Sequence, residues 1–302
     1  MEPLIDPVPR ELLESELNGE RFLRDTNSGG NKIYVVTAAD SPGVMREIGR
    51  LREWSFRDAG GGTGAGTDID EHDTAPGGYK QLVVWDPASR EIVGGYRYIV
   101  SHSEHPENMS TEHYFRFSDR FRREYLPYTI ELGRSFVQPN YQVARDDRKS
   151  FFALDNLWDG LGALLVRNPD MKYFLGKVTM YGAYNKEARD LLLYFLFKYF
   201  PDRDNLVEPI HPVRVRIDEE KMRELFTGRD YAEDYKILNR EIRSRNENVP
   251  PMINSYMSLS PTMRVFGTVC NPDFGDVEET GILITIEDIY PTKSERHTKN
   301  IK

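Results

Sequence analysis

Apolar and polar positions follow two periods along this chain, and the switches between them mark out its elements. Ile33–Thr37 is a short apolar run bounded by turn residues and predicts a first strand. Ser41-Pro42 opens a helix, since proline at the first helical position loses nothing by lacking an N–H. Val44, Ile48, Leu51 and Phe56 carry its apolar face to about Asp58. Tyr79–Trp85 and Glu91–Val100 read as two strands joined by an Asp86–Ser89 hairpin turn. Tyr128, Ile130, Leu132 and Phe136 alternate with smaller or polar residues, again a strand, and Pro139 ends its ladder for want of an N–H. Leu154, Leu157, Trp158, Leu161 and Leu164 space a helix over Phe151–Val166. A strand at Lys172–Met180, a helix at Asn185–Phe200, a short helix at Met252–Leu259 and strands at Met263–Val269 and Gly281–Ile286 complete the series. The pattern is that of a mixed α/β layer protein. Residues 1–31 read as a leader with a short helix near Arg10–Leu17, and residues 32–290 as one domain. Within it, 202–249 is a charge-dense helical insertion, with helices near Asp218–Phe226 and Tyr231–Arg245. Residues 291–302 read as a polar, basic tail.

Composition narrows the class. A chain of 302 residues with 39% hydrophobic and 29% charged residues is long enough for a sizeable core. A net charge of −9 does not suit nucleic acid. Cys270 is the single cysteine, so no internal disulfide can form, and it reads as a packing residue in a reducing compartment. No signal peptide is apparent, and no apolar run approaches the ~20 residues that span a bilayer. The expected location is the cytoplasm, with contact at the inner-membrane surface left open.

Several polar clusters interrupt the pattern. Glu131 and Arg134 stand in an apolar strand, where an unpaired charge would cost roughly several kcal/mol. They read equally as an active-site edge or a structural ion pair. Their odd spacing points them to opposite faces unless Gly133 marks a bulge; the favoured division has Glu131 facing substrate and Arg134 bracing from behind. Gly60–Gly66 follows a helix and lacks Gly-Lys-Ser/Thr, so it reads as a mobile loop able to cover a substrate, not a phosphate cradle. Asp68, Asp70 and Asp73 lack the Gly and Glu of a calcium loop and form a carboxylate cluster suited to a cationic amine. His102, Glu104, His105, Glu112 and His113 match no strong metal spacing, so no metal is expected. Phe115–Arg123 mixes three phenylalanines with Arg116, Arg120, Arg122 and Arg123, as an ordinary helix or a surface that docks an anionic partner.

Taken in order, Leu51-Arg52 with Phe56, Asp68-x-Asp70-x-x-Asp73, Gly94-x-Tyr96-Arg97 and Glu131-Leu-Gly-Arg134-Ser-x-Val137-x-Pro139-x-Tyr141 resemble a known family. So does the closing run Pro250-Pro251, Tyr256, Gly267-Thr-Val269 and Asn271-Pro272-Asp273-Phe274. The likeness covers about residues 45–286. It is to the hemolysin-like branch of the Gcn5-related N-acyltransferase (GNAT) fold, whose members make ornithine and glycine lipids. The resemblance implies a mixed, mostly antiparallel sheet flanked by helices. It implies transfer of a 3-hydroxyacyl group from acyl carrier protein to the α-amine of a small amino acid, giving a lyso-aminolipid. The Asp25–Asn27 turn and the Gly60–Gly66 cluster bring the pattern closer to glycine-lipid than to ornithine-lipid members. Acyl-homoserine-lactone synthases share much of the arrangement and are the runner-up. A non-catalytic membrane-surface or carrier-binding module is the remaining alternative, and the oligomeric state is open.

Amide formation needs a neutral amine, and a free α-amine has a pKa of about 8. Glu131 is the expected base, with Arg134 and Asp70 as its catalytic companions. Asp68, Asp70 and Asp73 would seat the ammonium, and Arg52, Arg97 and Arg134 would bind the acceptor's carboxylate, with Phe56 beside them. The resemblance also implies an acyl-pantetheine arm between Thr129–Val137 and Lys172–Met180. Tyr181 and Tyr184 are then candidate acids for the leaving thiolate. Gln142–Lys149 lacks the glycines of a coenzyme A pyrophosphate loop, which favours a carrier-protein thioester over acyl-CoA as donor. Val137, Gln142, Arg145, Arg148 and Lys149, with Arg120 and Arg123, are the residues expected to meet that donor. No resident cofactor is expected.

Overall fold

The structure is a computed structural model and describes residues 1–101, 109–142, 148–216 and 218–298. Ten strands and ten α-helices are described. The strands are β1 (Phe22–Asp25), β2 (Lys32–Val36), β3 (Lys80–Asp86), β4 (Glu91–Val100), β5 (Phe115–Phe117), β6 (Thr129–Val137), β7 (Tyr173–Met180), β8 (Val207–Pro209), β9 (Arg264–Asn271) and β10 (Val277–Thr285). The helices are α1 (Arg10–Glu16), α2 (Pro42–Asp58), α3 (Glu71–Thr74), α4 (Asp119–Glu124), α5 (Arg148–Arg167), α6 (Lys186–Tyr199), α7 (Glu219–Leu225), α8 (Tyr231–Arg243), α9 (Pro251–Met257) and α10 (Pro291–Thr298).

Eight strands form one sheet in the order β1-β2-β3-β4-β6-β7-β10-β9, and β5 pairs β8 in a small second sheet. Every neighbouring pair in the large sheet is antiparallel except β6 and β7. Both faces of the sheet are covered. Ile33, Leu82, Val84 and Ile130 pack with Leu157, Leu164 and Leu192 of α5 and α6 on one side. Tyr34, Val36, Val83, Trp85 and Phe136 pack with Val44, Ile48 and Leu51 of α2 on the other. Two buried faces explain why β3 reads as a continuous apolar run and not an alternation.

The central pair positions the site. The β6–β7 ladder runs from Thr129↔Tyr173 to Leu132↔Gly176 and stops there. Beyond it β6 stays paired with β4 through Val137, and β7 stays paired with β10 through Met180. Two strands that part company leave a wedge-shaped opening lined by backbone groups. The parting coincides with an irregularity in the β4–β6 register between Gly95 and Arg97, where Arg134 adopts a left-handed φ of 50°. The backbones are close here: a Cβ on Gly94 would lie 2.4 Å from the Phe136 carbonyl oxygen.

Four segments depart from expectation. Phe22–Asp25 of the presumed leader is an edge strand on β2, and α10, in the presumed tail, packs on α5 with His297 Nδ1 2.9 Å from Asp159. Short polar strands and helices of this kind have little periodicity of their own; their docking partners define them. Phe115–Phe117 is a strand, and the helix expected there starts only at Asp119, capped by the Ser118 hydroxyl on the Phe121 N–H. The 202–249 segment is not peripheral throughout: Phe226, Leu238 and Ile242 are fully buried in the core with α6.

Gly94→Ala is expected to disturb the β4–β6 junction and to destabilise the fold by about 1–3 kcal/mol. A drop in the denaturant midpoint at unchanged slope would show it; an unaltered midpoint would mean the two backbones can separate without cost.

Candidate active site

Three arginines and three aspartates form a buried, internally neutral network behind the parting of β6 and β7. Arg52 reaches from α2, where it shares a face with Phe56 four residues on. Its guanidinium donates to Asp73 Oδ2 at 3.0 Å and to Gln81 Oε1 at 2.6 Å, and its side chain is wholly buried. Arg97 on β4 donates to both oxygens of Asp70, at 2.7 and 2.8 Å, and lies 3.3 Å from Asp73. It also covers the Tyr79 ring at 4.9 Å. Arg134 on β6 is 3.1 Å from Asp68 and sits over the Phe274 ring at 4.1 Å. Asp70 and Asp73 hold one another through a capping box that starts α3.

Burial alone would push the Asp73 carboxyl up, but Arg52 and Arg97 outweigh it and hold it well below the usual carboxylate range. Asp68 goes the other way. Its complete burial raises it, against the pull of Arg134, Arg52 and Arg97. Arg134 also lies 3.8 Å from Asp70. Burial works against the charge on Arg97, yet Asp73 and Asp70 hold its pKa above the ordinary range.

Glu131 lies apart from this network. It is 1% exposed. Its Oε1 accepts from the Ser110 hydroxyl at 2.8 Å, the Thr111 N–H at 2.9 Å and the Thr111 hydroxyl at 2.7 Å. Its Oε2 accepts from the Tyr79 hydroxyl at 2.6 Å. This is the charge-assisted, multiply bonded environment of a structural carboxylate. The Tyr79 phenol is itself raised well above its ordinary value by burial and by Glu131.

A cleft of about 420 Å³ opens where the two strands part. Leu132–Ser135 of β6 and Lys177–Met180 of β7 form its sides, and Phe56, Phe274, Tyr181 and Tyr184 close one part. Pro250, Pro251 and Met252 give it an apolar reach. Its polar groups include Arg97, Arg134, Ser110, Lys177, Glu247 and Glu279. The Lys177 amine donates to the Ser110 hydroxyl at 3.3 Å, and Ser110 in turn donates to Glu131. Glu279, on β10, is 5% exposed, and its Oε2 has no hydrogen-bond partner. The Tyr114 phenol is pushed up to about 12 by burial, with Glu279 raising it further and Arg134 opposing.

Of the residues singled out from sequence, Phe56, Arg97, Arg134, Tyr181 and Tyr184 line this cleft. Arg52, Asp68, Asp70, Asp73 and Glu131 stand behind its wall. Two expectations are corrected by this. Glu131 is saturated by protein donors and does not face the cleft, and the three aspartates are committed to arginines and not open to an ammonium. Spacing could not show either, because the partners come from distant segments. Val137 and Gln142 bond to one another, the amide donating to the Val137 carbonyl at 2.8 Å. Arg120 is held by Glu124 and Asp204, and neither it nor Arg123 lines the cleft. Arg145 and the side chains of Arg148 and Lys149 lie outside the described residues, as do His102, Glu104 and His105. The Gly60–Gly66 loop is tied down: Thr63 and Gly64 donate three hydrogen bonds of 2.8–2.9 Å to Glu53. Ser110, Lys177 and Glu279 were missed. For Glu279 one signal existed, two adjacent glutamates just ahead of the apolar run Gly281–Ile286.

A central parallel pair that splays into a cleft defines an acyltransferase of the GNAT fold, and a family model described as "Acetyltransferase (GNAT) domain" matches residues 51–148. Two full-length relatives are each named "Glycine N(alpha)-acyltransferase". That of Phocaeicola vulgatus is 54% identical over 99% of this chain and 94% of its own length. That of Bacteroides thetaiotaomicron is 55% identical over 98% of this chain and 90% of its own. The chain belongs to the same family as these two proteins and is an acyltransferase enzyme. A solved CoA-dependent acyl-homoserine lactone synthase, MesI, aligns over 88% of this chain and 94% of its own at 11% identity and a TM-score of 0.34, too low to bear on function.

Breaking the network from one side leaves a buried charge. Arg52→Met is expected to cost about 3–5 kcal/mol, read by denaturant unfolding. The depressed Asp73 carboxyl contributes stability that is full above its unfolded pKa of about 3.9 and is lost as pH falls through the lower folded value. Asp73→Asn should therefore be less stable than the parent at neutral pH and converge on it in strong acid. A difference that stays constant with pH would contradict the assignment.

Proposed function

We propose that this enzyme transfers a fatty acyl group, 3-hydroxylated in the leading reading, from the phosphopantetheine thioester of acyl carrier protein to the amine of glycine, giving an N-acylglycine lyso-lipid. The observation that carries the site assignment is a cleft lined by a guanidinium, Arg134, and by a buried carboxylate with an unpartnered oxygen, Glu279. That pair matches the two ends of a small amino acid. Glycine as acceptor is further supported by the names of the two close relatives. A carrier-protein donor is supported by the absence of glycine from Gln142–Lys149.

In this reading the thioester arm enters between β6 and β7, where the unpaired strand edges offer backbone N–H groups to the developing oxyanion. The acyl chain runs along the apolar side past Met180, Pro251 and Met252. Arg134 takes the glycine carboxylate. Glu279 takes a proton from the ammonium, and the freed amine attacks the thioester carbonyl carbon. The C–N bond forms and the C–S bond breaks. Tyr181 protonates the leaving thiolate and is restored by the second proton that the nitrogen sheds as the amide forms, while Glu279 returns its proton to solvent. The Tyr184 hydroxyl is less suited, since it already donates to the Asn248 carbonyl at 2.9 Å. Burial and Glu279 raise the Tyr181 phenol, so it keeps its proton until the thiolate needs it. Glu131 serves as an anchor that fixes Ser110 at the cleft wall.

Purified protein given 3-hydroxyacyl carrier protein and glycine should release N-acylglycine, detected by mass spectrometry. Glu279→Gln should lower kcat by about 10²–10⁴-fold, and Arg134→Ala should chiefly raise KM for glycine. Full turnover by Glu279→Gln would remove that residue from the mechanism. Acylation of other amines to the exclusion of glycine would overturn the acceptor.

A further inference from the structure

Outside the cleft, α3 and the Ser110–His113 turn bring three ligating side chains together. His72 Nε2 and His113 Nε2 are 3.2 Å apart, and a carboxylate oxygen of Glu71 lies within 4.8 Å of both. Among the described residues this is the one group of three or more side chains so arranged. Two imidazole nitrogens bound tetrahedrally to one ion at 2.0–2.1 Å stand about 3.3 Å apart. The observed separation, in this structure an N–H···N hydrogen bond between the two rings, matches the edge of such a tetrahedron. The backbones that carry the ligands are fixed independently. The capping box holds α3, and the His72 carbonyl accepts the Tyr79 N–H at 2.8 Å. The His72 ring rests edge-on against the Tyr79 ring at 5.6 Å. The three ligands line a separate hollow of about 400 Å³, large enough to leave solvent in the remaining coordination positions. Glu112 also lines it but is engaged by Arg122.

We propose that Glu71, His72 and His113 form a site for a borderline divalent transition metal of the Zn²⁺ class, completed by water. The donor set, two imidazoles and a carboxylate, suits such an ion and not calcium or magnesium, which favour all-oxygen sites. The ion would join two segments that back the active site. α3 carries Asp73, which bridges Arg52 and Arg97, and the turn carries Ser110 and Thr111, which hold Glu131. Its role is that of a clamp, since none of the three ligands lines the catalytic cleft.

The test uses untagged, full-length, chelator-treated protein titrated with Zn²⁺ by calorimetry and with Co²⁺ by visible absorption. One equivalent should bind, with Co²⁺ giving the intense d–d bands of a four- or five-coordinate site. A hundredfold excess of Zn²⁺ over Kd should raise Tm by about 5 °C. His72→Ala and His113→Ala should each abolish binding, and Glu71→Gln should weaken it at least tenfold. Circular dichroism matching the parent shows the variants folded; His113→Gln, at an exposed position, serves where an alanine variant misfolds. No saturable binding at 100 μM metal, or binding unchanged in the histidine variants, overturns the proposal.

Discussion

The structure depends on an exchange of charge in its interior. Arg52, Arg97 and Arg134 come from a helix and two neighbouring strands, and Asp68, Asp70 and Asp73 come from one short loop and the turn of helix it caps. Burying six charges is expensive, and their mutual attraction offsets that cost only while every partner is in place. The network therefore acts as a geometric specification. It fixes how α2 approaches the sheet, where α3 begins, and which way Arg134 leaves β6. A hydrophobic core of equal volume would hold the layers together without setting those angles.

That reading accounts for what was legible in the chain. The strands at Tyr79–Val100 and Thr129–Val137, and the helices at Pro42–Asp58 and Lys186–Tyr199, announce themselves because each is a long apolar-rich segment bounded by turn or capping residues. Glu131 and Arg134 were equally visible as misfits in a strand. Their employment was not. Whether a carboxylate is a base or an anchor depends on how many donors surround it, and those of Glu131 come from residues 20 to 52 positions away. Glu279 shows the converse. It reads as one more polar residue near a strand end, and only the parting of β6 and β7 turns it toward an open cleft. Edge strand β1 and helix α10 were hidden for a simpler reason: they are short, and the surfaces they dock on define them.

The odd spacing of Glu131 and Arg134 resolves in the backbone. A left-handed residue at position 134 breaks the two-residue alternation of β6, so the strand serves two environments. Before the break it contributes Glu131 to a sealed polar knot with Tyr79, Ser110 and Thr111. After it, Arg134 reaches the acidic loop and the cleft together. The same break ends the pairing with β7, so the kink that redirects the arginine also makes room for a substrate.

The strand order has a consequence for how the protein comes into being. β10, which carries Glu279, lies between β7 and β9, and nearly a hundred residues separate it from β7 in the chain. A ribosome that has reached Met180 has already supplied the arginine–aspartate network and both lips of the cleft. It has not yet supplied the carboxylate on the third wall. Until β10 docks, β7 is an open edge in the middle of the future sheet, the kind of edge that recruits the wrong strand. On the proposed mechanism the base is thus among the last groups the nascent chain acquires, and an unfinished copy would be at once inert and prone to aggregate.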